Sequence, residues 1–240
     1  RGATPPPPSL VLPNSVALAP NGRTMLIVQT HNHVVLEVDS AARKIIATFG
    51  EAGIAGADDQ HLNTPSAAHR LRDGRTIVAD ARNCRIVIFS PQKNFAGQIG
   101  KTGDCSGARG ALGKLNGLAP MPNGNVLVTD ALEPRVSEMD LNGNVARVVL
   151  LPNLAQPSNA TLTRGGNILL ASYATPGRIA EVDWNGQIVW EYAPSASERL
   201  DRPSRAIELP NGLIALTDDY NHRVVTVNRE KRIVWQYGVT

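Results

Sequence analysis

Near the end of the chain, the stretch LTDDYNHRVVTVN (Leu216–Asn228) sets His222 between Asn221 and Arg223, shortly after Asp218 and Asp219. Carboxylate, imidazole and guanidinium within six residues could do acid–base chemistry. A histidine titrates near neutrality, a carboxylate can orient it, and an arginine can hold a developing anion. The other histidines, His31 and His33 in THNH, then His61 and His69, could in principle ligate a metal. Zinc needs about three or four ligands at roughly 2.0–2.3 Å, so these residues would have to converge. Serine is common, but no G-x-S-x-G nucleophile motif occurs. The glycine-rich GEAGIAG (Gly50–Gly56) opens no helix and carries no Lys-Ser/Thr for phosphate.

Whether the 218–223 cluster is catalytic depends on what positions it, and that is a repeat. A ten-residue unit recurs five times without a gap: Pro13–Gly22, Pro65–Gly74, Leu115–Gly124, Pro157–Gly166 and Pro203–Gly212. Four of the five close on Asn-Gly or Asp-Gly, the pair that supplies φ > 0 in a tight hairpin. A short apolar run follows each glycine. Aspartate stands six residues past the glycine at Asp80, Asp130 and Asp218, with Ser172 in the fourth unit. Arginine follows in register at Arg85, Arg135, Arg178 and Arg223, with His33 in the first unit. Each unit thus holds four β-type runs separated by turns, and the glycines stand 52, 50, 42 and 46 residues apart. That is the period of a propeller blade. The pattern predicts an all-β propeller of four-stranded antiparallel blades, with no helix beyond about two turns. Five closed blades are expected over a six-bladed ring lacking one blade. In the second case bare apolar blade faces would need covering by another chain or by a lost segment.

Seen as framework, the cluster loses its catalytic look. His222 takes the place held by Cys84 and Pro134 in other units. The aspartate is expected to end the second strand and the arginine to begin the third, tying backbone groups and each other. His222→Asn should then be tolerated, and Arg223→Ala should cost about 1–3 kcal/mol if its bonds are buried. The two cysteines fall in the second unit, Cys84 at the start of its third run and Cys105 just past its fourth. Antiparallel neighbours bring those ends together, which predicts a Cys84–Cys105 disulfide and an oxidising, extracytoplasmic setting.

Composition agrees with a β protein and narrows the partners. The chain has 240 residues, 24 basic against 21 acidic side chains, and only 4% aromatics. A net charge of +3 without a run of like charges gives no footprint for nucleic acid. No apolar stretch reaches 18 residues, so no helical membrane span is expected. RGATPPPPS at the start has the composition of a stiff spacer, so residues 1–12 are set apart from a propeller over 13–240. The spacer could be a tether below a lost anchor.

The units resemble the NHL-repeat propellers. GRTIVADARNCRIVIFS (Gly74–Ser90) and GLIALTDDYNHRVVTVN (Gly212–Asn228) carry the glycine, apolar pair, aspartate, Asn-His-Arg segment and apolar run of that family. GQIVWEY and KRIVWQYG also resemble repeats of quinoprotein-like and arylsulfotransferase-like propellers. The resemblance implies a propeller whose first strands line a central channel. It leaves function open among lyases with a histidine-held metal, lactonase-like enzymes, extracellular sensors and protein- or RNA-binding scaffolds. On the first strands, the polar residues that could face a ligand are His69, Asn159, Thr161 and Arg205. They form no repeated column of His, Asp or Glu, so no metal and no cofactor are expected. The expected function is a non-catalytic extracytoplasmic binding or structural module, with a protein partner or self-association. The rival is a propeller lyase or hydrolase acting on a small molecule at the channel.

Overall fold

The computed structural model describes residues 10–108, 110–195 and 198–238. The fold is an all-β propeller of five four-stranded antiparallel blades, and the only helical pieces among the described residues are short 3-10 turns. Blade 1 is β1–β4 (Ser15–Leu18, Thr24–Gln29, Val34–Asp39, Lys44–Phe49). Blade 2 is β5–β8 (Pro65–Arg70, Thr76–Asp80, Arg85–Phe89, Phe95–Ile99). Blade 3 is β9–β12 (Leu115–Pro120, Val126–Asp130, Arg135–Met139, Val145–Leu150). Blade 4 is β13–β16 (Pro157–Leu162, Ile168–Ser172, Arg178–Val182, Ile188–Tyr192). Blade 5 is β17–β20 (Ala206–Glu208, Ile214–Asp218, Arg223–Val227, Ile233–Gly238). Within each blade the strands pair in chain order. Residues 1–9 of the expected spacer lie outside the described residues, and Leu10–Leu12 form no strand.

The first hairpin of each blade turns on its repeat glycine. Gly74 and Gly212 sit at φ of 89° and 82°, a region open to glycine at little cost, and donate back to Leu71 and Leu209. In blades 1, 2 and 5 a 3-10 turn leads from the second strand into the third, and the residue that caps it is left-handed: His33, Cys84 and His222 at φ of 59°, 52° and 52°.

This geometry corrects the register expected for blade 1. Its second strand, Thr24–Gln29, is one residue longer than Thr76–Asp80. Gln29 therefore opens the 3-10 turn where Asp80 and Asp218 do, and His33 is the left-handed residue. Val34, not His33, takes the arginine's place. A single added residue shifts every later side chain by one position, and residue counting from the glycine does not see it.

The chain separates into two compact units between Leu118 and Ala119. In the first unit, Leu26, Val28, Val35 and Phe49 of blade 1 pack against Ala68, Val78, Val87 and Phe89 of blade 2. Phe49 and Phe89 meet at 4.8 Å between ring centroids. Glu37 of blade 1 also ties to blade 2, at 2.7 Å from Arg70 and 3.1 Å from Lys93. In the second unit, Leu127 and Val136 of blade 3 pack on Ile168, Leu170 and Ala180 of blade 4. Leu169, Ile179 and Tyr192 of blade 4 pack in turn on Ile214, Leu216 and Val225 of blade 5. The side chain just after the framework arginine thus meets the following blade, and its neighbours in sequence meet the preceding one, as the period of two requires.

Candidate functional site

The framework residues of the 218–223 segment hold backbone. Asp218 and Arg223 face each other directly across β18 and β19, with Nε donating to Oδ2 at 2.7 Å. Asn221 Nδ2 donates to the same oxygen at 2.9 Å, and Arg223 reaches on to the Glu198 carbonyl at 3.0 Å. Blade 2 repeats the arrangement. Arg85 donates to Asp80 at 2.8 Å and to the carbonyls of Asp58 and His61, while Asn83 bonds Asp80 at 2.7 Å. Burial pushes the Asp80 carboxyl up, and the Asn63 amide, Asn83 and Arg85 oppose it by hydrogen bonding the anion. Asp130 and Arg135 pair at 3.2 Å in a more open setting. Each arginine in blades 2 and 5 therefore clips the link that precedes its blade.

The histidines are spread over separate structural tasks. His33 Nδ1 accepts from the Thr64 amide at 3.1 Å. His61 sits between Asp58 and Glu51, whose bonds raise its affinity for a proton, Asp58 contributing most. His222 is exposed and left-handed. Among the described residues no group of three His, Cys, Asp or Glu is placed to hold a metal ion. Asparagine tolerates the left-handed region better than most residues. His222→Asn is therefore expected to change stability by less than about 0.5 kcal/mol, whereas His222→Ile should cost about 1–3 kcal/mol through backbone strain. Urea unfolding of the two variants checks this.

Of the polar residues expected on first strands, His69 lies on β5 in the first unit, and Asn159, Thr161 and Arg205 lie in the second. Thr161 Oγ1 donates to the Ala206 carbonyl at 3.3 Å, stitching β13 to β17. Asn159 is buried at φ of 43°. Arg205 stands just before β17, its amide donating to Thr217 Oγ1 at 3.2 Å. Burial pulls its guanidinium down from the ordinary value and the Asp219 carboxylate opposes that.

Asp219 is the residue that sequence reasoning misplaced by grouping it with the framework. Its Oδ1 accepts from Ser204 Oγ at 2.9 Å, and Ser204 Oγ lies 2.9 Å from Thr217 Oγ1. Tyr173 and Tyr220 complete the surroundings. Burial first, then Tyr220 and Asp219, push the Tyr173 hydroxyl up, while Arg202, 4.2 Å above the Tyr220 ring, opposes this. The set offers fixed charge and hydroxyls in one place. A serine held by a carboxylate alone is oriented rather than activated, because the carboxylate is a weak base at neutral pH. The arrangement suits recognition. No sequence signal joins Ser204, Thr217 and Tyr173, because they come from different strands and links.

A second feature lies on β20. The segments IVWEY (Ile188–Tyr192) and IVWQY (Ile233–Tyr237) occupy the same outer strand of blades 4 and 5. In blade 4, Tyr192 is buried against blade 5. Trp190 Nε1 donates to the Arg229 carbonyl of the blade 5 turn at 2.9 Å, and the Arg229 guanidinium lies 5.4 Å from the indole centre. In blade 5 the matching rings face solvent: Trp235 is 53% and Tyr237 74% exposed, stacked at 6.5 Å. Opposite Tyr237 on β19, Val224 is 38% exposed, although Val35, Ile86, Val136 and Ile179 at the same place in the other blades are all at 0%.

No protein-family model matches the chain. A probable peptidyl-alpha-hydroxyglycine alpha-amidating lyase of Caenorhabditis elegans is 28% identical over 89 residues, 37% of this chain. The match spans about a quarter of that curated relative, 25% of its length. Among solved structures, a Bacteroides caccae protein of unknown function is similar over 90% of this chain and 73% of its own, at 15% identity and a TM-score of 0.68. A catalytically inactive virginiamycin B lyase from Staphylococcus aureus, solved with quinupristin, is similar over 95% of this chain and 70% of its own, at 14% identity and 0.67. A chain of a nidogen/laminin complex matches over 90% of this chain and 76% of its own, at 14% and 0.68. At these identities the structural likeness supports the propeller fold alone.

Proposed function

We propose that the chain is a non-catalytic, extracytoplasmic binding propeller that holds a protein partner against the aromatic face of its fifth blade. The carrying observation is the bare second copy of the I-V-W-x-Y segment. Its blade 4 copy is seated against an antiparallel sheet, so the chain itself supplies the template for the partner. That partner presents an apolar sheet face, with a turn carbonyl in reach of the Trp235 indole N–H. Covering each ring adds about 1.5–3 kcal/mol of burial, and aromatic anchors of this kind dominate protein interfaces. The Cys84–Cys105 bridge supports the extracytoplasmic setting.

The test extends the chain after Gly238 with a second copy of residues 193–238, which offers the expected sheet face. In the parent chain Trp235→Ser should cost less than about 1 kcal/mol, since half of the ring is already in water. In the extended chain the same substitution should cost about 3–5 kcal/mol, the range for truncating a packed aromatic. Equal, small costs in both chains would overturn the docking face. The second reading is a lyase, and the identity to the C. elegans protein over 89 residues favours it.

A further inference from the structure

Blade 4 breaks the repeat in three ways, and all three meet in one place. Ser172 replaces the framework aspartate, Pro176-Gly177 replaces the Asn-His segment, and the link entering the blade is cut short. The other links run 15, 15 and 13 residues, whereas the one between β12 and β13 has six, residues 151–156. A cavity of about 680 Å³ opens there, lined by Leu154, Ser172, Pro176, Arg178, Glu191 and Arg199 with further prolines and alanines.

The loss of the carboxylate changes what the arginine does. Arg85 and Arg223 are locked on Asp80 and Asp218 with 2% and 4% of their side chains exposed. Ser172 Oγ instead donates to the Ala155 carbonyl at 2.6 Å, and Arg178, 28% exposed, bonds the Asn153 carbonyl and reaches Glu191 at only 3.4 Å. Among the described residues no acceptor pairs with the Arg199 guanidinium. Two guanidinium groups and one carboxylate leave a net charge of +1 on walls that are otherwise mostly apolar. Breaks in local rules gather at functional sites, and here turn, pair and link break together.

We infer that this cavity is a small-molecule site for an organic monoanion, a carboxylate carried on a compact apolar body. Its carboxylate is taken by Arg178 and Arg199, where guanidinium gives charge-assisted bonds, and its body rests on Leu154 and the prolines. The volume fits the ordinary range of ligand pockets. Glu191 competes with the ligand for Arg178. The site is independent of the sheet-docking face on blade 5.

Calorimetric titration of the whole chain with phenylacetate, phenylacetamide and phenethylammonium tests this. Phenylacetate should bind saturably, at about millimolar strength for so small a probe, and the neutral amide at least about tenfold more weakly. Arg199→Gln should weaken phenylacetate about tenfold. Glu191→Gln should strengthen it several-fold, because it frees Arg178. Those opposite signs cannot come from a general loss of folding. The inference is overturned if the amide or the ammonium binds as well as the acid, if phenylacetate does not saturate, or if Glu191→Gln weakens binding.

Discussion

Arg85→Ala should destabilise the chain by about 3–5 kcal/mol, the largest effect expected of any framework substitution. The guanidinium is 2% exposed and its partner carboxylate wholly buried. It also bonds Gln98 and the carbonyls of Asp58 and His61. Truncation leaves Asp80 charged or newly protonated in a site that burial already makes costly, and it leaves two link carbonyls without their donor. The same substitution at Arg135 should cost only about 0.5–1.5 kcal/mol, since that side chain is 21% exposed and its pair is longer. Arg223→Ala should fall with Arg85, above the 1–3 kcal/mol expected from sequence, because its partner Asp218 is wholly buried. Urea unfolding of the three variants gives the order. Equal costs at Arg85 and Arg135 would contradict it.

Loss of the Cys84–Cys105 bridge is the second large effect. The two α-carbons stand 5.2 Å apart and close a loop of 21 residues in separation. A loop of that length contributes about 3 kcal/mol in the chain-entropy model. It also anchors the left-handed Cys84 to the link that leaves blade 2. The Cys84→Ser, Cys105→Ser chain should unfold at lower urea by that amount, and reductant should bring the parent to the same midpoint. A parent unmoved by reductant would contradict the bridge.

The blade architecture was legible because it repeats. Asn-Gly and Asp-Gly turns fix hairpins locally, and Asp80 with Arg85 can be paired by counting from Gly74 to the end of one strand and the start of the next. Counting failed in blade 1, where a second strand of six residues moved His33 off the arginine's place. Grouping by adjacency failed at Asp219, next in sequence to a framework residue but bonded to Ser204 from another link. Contacts between blades leave no local pattern. The bareness of Trp235 was hidden for the same reason: its segment matches that of the packed Trp190 in all but one of five letters, and only the neighbouring sheet distinguishes them. The cavity beside Arg178 follows from a short link, visible as the 42-residue glycine spacing, but its lining comes from four separated segments.

If this propeller binds and does not turn over substrate, as we propose, product formation from a peptidyl-α-hydroxyglycine with divalent metal ions supplied is the measurement that decides it. No amidated peptide is expected above the rate in buffer, for the parent and for Arg205→Gln and Asp219→Asn alike. Amidated product that forms with the parent and is lost in those variants, while their unfolding midpoints stay in place, would contradict it and make the chain a lyase.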